Sequence, residues 1–121
     1  MTDADLFAQY LRCHHVGRGK CITAMQLKVK VRYDDTMIFL RDAKRPNTVV
    51  CDLVGELRDR RPPVIICSFG NGYCWPSCKA DIDESVEYLD GKIWPLLRRR
   101  GAMRKARRQW VEPAQGNFFD L

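Results

Sequence analysis

One segment carries the whole net charge of this 121-residue chain and restricts how the chain can fold. Residues 92–111, KIWPLLRRRGAMRKARRQWV, hold eight lysines and arginines and no acidic residue. Residues 1–91 are balanced at 13 basic and 13 acidic side chains, whereas residues 92–121 hold 8 basic and 2 acidic ones, which accounts for the charge of +6. The pattern predicts a neutral body that carries a cationic C-terminal helix and meets a polyanion.

The arrangement of this segment on a helix separates apolar from charged residues. Spacings of seven, three and four residues predict a narrow stripe that docks on the rest of the protein. The stripe consists of Leu96, Met103, Ala106 and Trp110. Pro95 suits the first turn, Gly101 is expected to bend or break the helix, and Pro113 is expected to end it.

The preference for arginine over lysine favours phosphate as the anion, because a planar guanidinium can donate two hydrogen bonds to it. No acid is interleaved to form i,i+4 pairs, so an external anion would relieve the repulsion. We predict a nucleic-acid-binding accessory protein, for RNA or DNA, which would suit a virus or mobile element. The predicted contacts are Arg98, Arg99, Arg100, Arg104, Lys105, Arg107 and Arg108, with Trp94 or Trp110 stacking on a base, and Arg18 and Lys20 from a glycine-containing loop.

Other partners stay open at this stage. The main alternative is a protein-interaction adaptor or inhibitor whose cationic helix docks on an acidic protein surface. An anionic membrane and a purely solvated face are further interpretations of the same charge. The oligomeric state is left open.

Length and composition favour a single intracellular domain. We expect residues 1–121 to form one domain, with a neutral α+β body (1–91), the basic helix (92–111) and a tail (112–121). No apolar run approaches the roughly 20 residues that span a bilayer, and the N-terminus is acidic where a signal peptide is basic. We therefore predict a cytoplasmic or nuclear protein with reduced cysteines, of which Cys51 and Cys67 lie in the core. The even number of six cysteines leaves a disulfide set, with 15 possible pairings, as the alternative.

Hydropathy patterns predict an α+β fold with a small antiparallel or mixed sheet and helices on one face. Alternation at 27–33 predicts a strand, and the pattern continues through a turn into a hairpin at 26–41. An apolar run predicts a buried strand at 64–69, and the GNG turn signal that follows predicts a short returning strand at 73–75. Helices are predicted at 3–12, at 47–58, and from Asp81 to the Asp90-Gly91 pair.

Cysteines and histidines raise the question of a metal site. Two groups, one near residue 15 and one near residue 76, could together supply a tetrahedral zinc site. The candidate ligands are Cys13, His15, Cys21, Cys74 and Cys78. The chain has none of the C-x2-C pairs common in structural zinc sites, so unrelated loop cysteines are the favoured interpretation and no cofactor is predicted.

Catalytic motifs are scarce. The chain has neither a P-loop nor a G-x-G-x-x-G motif, and we predict that it is not an enzyme. The catalytic alternative is a small basic ribonuclease, with His14 or His15 as base and Arg18 or Lys20 on the phosphate. Acids at 81–84 could bind Mg²⁺ but are interpreted as helix caps.

A resemblance supplies a second view of the body. The words IFLRDAK (38–44), NTV (47–49) and RPPVII (61–66), in the order hairpin, helix, Pro-Pro, strand, resemble a ubiquitin-like, elongin-B-like β-grasp domain. The likeness covers residues 26–69 only. It implies a β-grasp arrangement and a protein-interaction role for the body.

Overall fold

The computed structural model describes residues 1–110 and has an α+β architecture, as the hydropathy patterns predict. Helices dominate these residues, and two short strands form one antiparallel hairpin. In chain order the elements are α1 (Asp3–His14), α2 (Ala24–Lys30), α3 (Ile38–Arg41), α4 (Pro46–Arg58), β1 (Cys67–Phe69), β2 (Gly72–Cys74) and α5 (Lys79–Arg108). Two 3-10 turns, Arg18–Lys20 and Asp35–Met37, join them.

The chain divides into two compact units, Met1–Leu89 (unit 1) and Asp90–Leu121 (unit 2). Unit 2 is described as far as Trp110. The predicted stop at Pro113 and the predicted tail therefore lie outside the described residues. Each unit is treated separately below.

Helix α1 confirms the prediction for residues 3–12. Thr2 and Asp5 form a reciprocal capping box, which pairs two backbone N–H groups that would otherwise lack partners. Ala4, Phe7 and Leu11 follow at spacings of three and four and are fully buried. A strong cap and an apolar face therefore agree on the same helix.

The hairpin predicted at 26–41 is wrong, because this stretch is helical. Thr23 caps α2 through a second capping box with Gln26, and Leu27 and Val31 face the core. Val29, which the alternation would bury with them, is 56% exposed. The alternating pattern is thus overridden by a cap and by burial at helical spacing.

The β-grasp arrangement implied by the resemblance is also wrong. It requires a hairpin in residues 26–41, where the structure has α2, a 3-10 turn and α3. The helix predicted for residues 47–58 is present as α4, with Pro46 in its first turn, but the prediction that Cys51 lies in the core is wrong because Cys51 is exposed. Of the elements that the resemblance implies, the helix is present as α4, but the β-grasp fold is not.

The strand predictions after α4 hold in shortened form. β1 occupies the end of the predicted strand 64–69, and the chain returns after the glycine-rich turn as β2. Ile22 adds an isolated antiparallel bridge to Tyr73, with N···O distances of 2.9 and 2.8 Å. A third extended segment thus lies along the outer side of β2.

Unit 1 covers both faces of this small sheet, whereas helices were predicted on only one. Ile22, Ile66 and Tyr73 belong to the main core with α1, α2 and α4. The opposite face carries a second cluster, to which Ile82 and Tyr88 of α5 contribute. The polypeptide between Cys67 and Cys74 therefore separates two apolar clusters.

Helix α5 corrects the predicted end at Asp90-Gly91 and the separate helix at 92–111. It runs from Lys79 to Arg108 with Pro95 inside it. Gly91 does not adopt the positive φ that commonly ends a helix. Helix α5 also continues through Gly101, so the break expected at this residue is wrong.

Candidate nucleic-acid interface

The arginine segment, defined as residues 98–108 of α5, exposes every cationic side chain that it contains. These are Arg98, Arg99, Arg100, Arg104, Lys105, Arg107 and Arg108. At 100° of rotation per residue, all except Arg99 fall within about half of the helix circumference. The segment thus presents one broad cationic face.

Local neighbours do not neutralise this face. No residue from 98 to 107 has an acidic residue within four positions along the chain. Arg104 is one turn from both Arg100 and Arg108, and each such like-charged pair destabilises a helix by roughly 0.2–0.5 kcal/mol. The arginines of this segment therefore repel one another, and this repulsion destabilises the isolated helix.

The end of the helix explains part of the charge. Lys105, Arg107 and Arg108 lie in the last turn of α5, where cations interact favourably with the helix dipole. Arg98, Arg99 and Arg100 lie two turns or more before that end, beyond the reach of this effect. The helix dipole therefore does not explain the positive charges of these three arginines.

The apolar stripe predicted to dock is exposed. Leu96, Met103 and Trp110 are 58%, 73% and 53% exposed, and Ala106 is also exposed. Arg99 lies on the same side of α5 as the stripe. The same exposure leaves these side chains open to a partner.

The two tryptophan candidates occupy different positions. Trp94 is 60% exposed and lies four residues before Arg98, hence one turn away on the same side of α5. Trp110 lies beyond the last residue of α5. Trp94 is therefore the aromatic side chain that accompanies the cationic face.

Arg18 and Lys20 belong to unit 1 and have different surroundings. The Arg18 guanidinium forms an ion pair with Glu84 and lies 4.8 Å from the ring centroid of Phe69. The Lys20 side chain is exposed. Arg18 thus already has an acidic partner within the protein, whereas Lys20 remains accessible to an anion.

The structure does not assemble the candidate zinc ligands. Cys13 and Cys78 are exposed, His15 and Cys74 are buried, and Cys21 is half-buried. Residues 1–110 contain no group of three or more His, Cys, Asp or Glu side chains that could hold a metal ion. Of the five candidates, Cys21 and Cys74 are neighbours, and they adjoin Cys67, which no spacing pattern links to them.

Of the histidines proposed as a ribonuclease base, His15 is only 6% exposed. Its Nδ1 lies 2.9 Å from the carbonyl oxygen of Lys20, which can only accept, so Nδ1 carries the proton. Its Nε2 has no hydrogen-bond partner among the described residues. Burial lowers the pKa of His15, so the ring is held neutral.

The acids considered for Mg²⁺ each have a partner within the protein. Asp81 accepts hydrogen bonds from the backbone N and the hydroxyl of Ser77 at 2.8 and 2.6 Å, and these bonds lower its pKa. Glu84 pairs with Arg18, and Asp83 lies 3.9 Å from Lys79. This agrees with their interpretation as residues that support the start of α5.

Comparison of the chain with protein-family models, with curated proteins and with solved structures finds no match. Among the described residues, no helix has both the length and the apolar character needed to cross a bilayer.

Proposed function

We propose that this chain is a nucleic-acid-binding accessory protein that contacts phosphates through the arginine segment and has no catalytic role of its own. The observation that supports this proposal is the exposed cationic face of residues 98–108, which lacks acidic neighbours. Nucleic acid lies in the cytoplasm and nucleus, which is where we propose that the protein acts.

The charge density of the segment suits a nucleic acid. Eleven helical residues extend for about 15 Å and here carry seven positive charges. Duplex DNA carries one negative charge per roughly 1.7 Å of its axis, hence about nine over the same length. The two densities are close enough for most of the cationic face to find phosphate partners.

Binding of this kind is expected to discriminate poorly between sequences. Phosphate contacts position a protein without reading bases, and stacking on Trp94 would tolerate any base. A preference for single strands would indicate that Trp94 contributes, because only unpaired bases can stack on it.

The test is a fluorescence-anisotropy titration with labelled 20-nucleotide single- and double-stranded RNA and DNA at several salt concentrations. We expect micromolar or tighter binding that weakens steeply with salt. On duplex DNA the slope of log K against log salt is about −0.9 per contact, so three to six contacts give a slope of about −3 to −5.

A matched pair of variants separates location from net charge. Arg98, Arg99 and Arg100 changed together to Glu should weaken binding at least tenfold. Changing Arg32, Lys44 and Arg45 of unit 1 to Glu alters the net charge equally and should preserve most of the affinity. Equal losses in both variants, or no wild-type binding to any of the four probes at low salt, would reject the proposal.

A second candidate is an adaptor or inhibitor whose cationic helix docks on an acidic protein surface. The exposed apolar side chains of Leu96, Met103 and Trp110 beside the arginines favour it, because protein interfaces combine both kinds of residue. Changing Arg98, Arg99 and Arg100 to Lys distinguishes the two: phosphate binding should weaken modestly, whereas a shaped protein interface should be lost.

A further inference from the structure

Three cysteines of unit 1 form a row across three extended segments. Cys67 and Cys74 are direct partners in the register of β1 and β2. Ile22 and Tyr73 exchange two backbone hydrogen bonds, so the next antiparallel pair outward is Cys21 and Cys74. Cys74 therefore has a thiol neighbour on each side.

The spacing of such pairs suits a disulfide. Cys21 has extended backbone angles, φ −60° and ψ 149°. It adjoins a hydrogen-bonded pair, so Cys21 and Cys74 form a non-hydrogen-bonded pair, whose Cα atoms lie about 4.5 Å apart in antiparallel sheets. Disulfides join Cα atoms roughly 4.4–6.8 Å apart, so little backbone movement is needed.

Accessibility distinguishes the two neighbours of Cys74. Cys67 and Cys74 are 1% and 0% exposed, beneath the second apolar cluster. Cys21 lies at the edge of the row and is half-buried. Its Sγ lies 3.2 Å from the carbonyl oxygen of Arg18. A reagent from solvent can reach the row only through Cys21.

We propose that Cys21 and Cys74 form a redox modification site that small disulfides oxidise to an intramolecular disulfide. The inference is independent of the arginine segment and of the nucleic-acid proposal. All six cysteines are free thiols in the structure, and the proposal assigns the disulfide to one pair of them.

The reaction proceeds in two exchange steps. The Cys21 thiolate attacks one sulfur of the small disulfide, forms a mixed disulfide and releases one small thiolate. Cys74 then attacks the Cys21 sulfur and passes its proton to the second small thiolate as that group departs, which forms the Cys21–Cys74 bond. Two protein thiols are oxidised by two electrons, and the small disulfide is reduced to two thiols once the released thiolates take up protons.

The environment sets the pH dependence of this reaction. Burial raises the pKa of Cys21, of Cys67 and of Cys74, so all three are protonated at neutral pH. Asp81 faces the row and raises these pKa values further, whereas Arg18 lowers that of Cys21. Oxidation should therefore accelerate as the pH rises from 7 to 9.

The experiment exposes the folded full-length chain to oxidised glutathione and maps disulfides by mass spectrometry after alkylation and digestion. We expect loss of two of six thiols and a peptide linking Cys21 to Cys74. This bond closes a long loop, so the melting temperature should rise on the order of 10 °C. A Cys67–Cys74 bond would close only the short hairpin loop and should raise it by roughly 60% as much.

Variants assign the pair. Cys21→Ser should abolish the intramolecular disulfide, while Cys67→Ser and the exposed control Cys51→Ser should retain it, each checked for folding by circular dichroism. A disulfide between Cys67 and Cys74 in the wild type, or between the exposed cysteines, would overturn the proposal. So would the absence of any intramolecular disulfide in folded wild-type protein.

Discussion

Substitution of Gly72 by Ala should disrupt the small sheet, because the backbone of a neighbouring segment occupies the place of the new side chain. A Cβ at this position would lie 2.2 Å from the carbonyl oxygen of Ile22 and 2.6 Å from the backbone N of Thr23. Gly72 also has a φ of +120°, which residues with side chains rarely adopt. Both effects act on backbone atoms, which cannot rotate away.

The expected loss follows from these contacts. A strained backbone conformation costs about 1–3 kcal/mol. Moving Ile22 away breaks its two hydrogen bonds to Tyr73, each of which contributes about 1 kcal/mol. Gly72→Ala should therefore lower the free energy of unfolding by about 3–5 kcal/mol, a large share of the 5–15 kcal/mol typical of a domain.

The assay is urea unfolding followed by circular dichroism at 222 nm under reducing conditions. Gly55→Ala in α4 is the matched control, because its Cβ would meet only the end of the Arg58 side chain, at 3.7 Å. Alanine there should stabilise the helix by up to about 1 kcal/mol. A loss below about 1 kcal/mol for Gly72→Ala would refute the described register of Ile22 against β2.

Three further outcomes test other parts of unit 1. The hydrogen bond from Arg60 is the main cause that lowers the pKa of Asp5 to about 2, so its stabilisation is present above pH 4 and lost between pH 4 and 2. Melting temperatures of wild type and Asp5→Asn should differ at pH 7 and converge at pH 2; a constant gap would contradict this. Burial lowers the pKa of His15, so the free energy of unfolding should decline as the pH falls below 6.5. An NMR titration should show a histidine resonance with a pKa below 6.5, and that resonance should be absent in His15→Gln. An unshifted pKa would contradict the burial. Phe7→Ala should cost about 3–5 kcal/mol in urea unfolding, because Phe7 is fully buried, whereas exposed Val29→Ala should cost less than about 0.5 kcal/mol; similar costs would contradict the described core.

Elements with strong local signals were predicted correctly from the sequence. Four apolar residues at helical spacing behind Asp3 or Asp5 as a cap predicted α1, although Thr2 is its cap, and the apolar face of residues 49–57 predicted α4. The glycine-rich turn at 70–72 predicted the return of the chain as β2. These signals act between residues at most a few positions apart, so they need no knowledge of the fold.

Other regions carried two compatible patterns, and helix caps together with packing chose between them. Leu27, Val29 and Val31 alternate like a strand, yet Leu27 and Val31 are also four residues apart, as on a helix. Thr23 and Gln26 close a capping box, and burial against the core selects the helical alternative. Pro95 and the Asp90-Gly91 pair likewise suggested boundaries that α5 does not have.

The sequence alone determined the composition of the candidate interface, since the acid-free run of arginines and its charge of +6 depend only on the order of residues. It also determined the α+β class of the fold and the helices α1 and α4, whose apolar residues recur at helical spacing. Tertiary structure alone decided that Arg18 pairs with Glu84 and that Cys74 lies between Cys21 and Cys67. Arg18 and Glu84, and likewise Cys21 and Cys74, are far apart along the chain and meet only through strand register and helix packing, which no local spacing encodes.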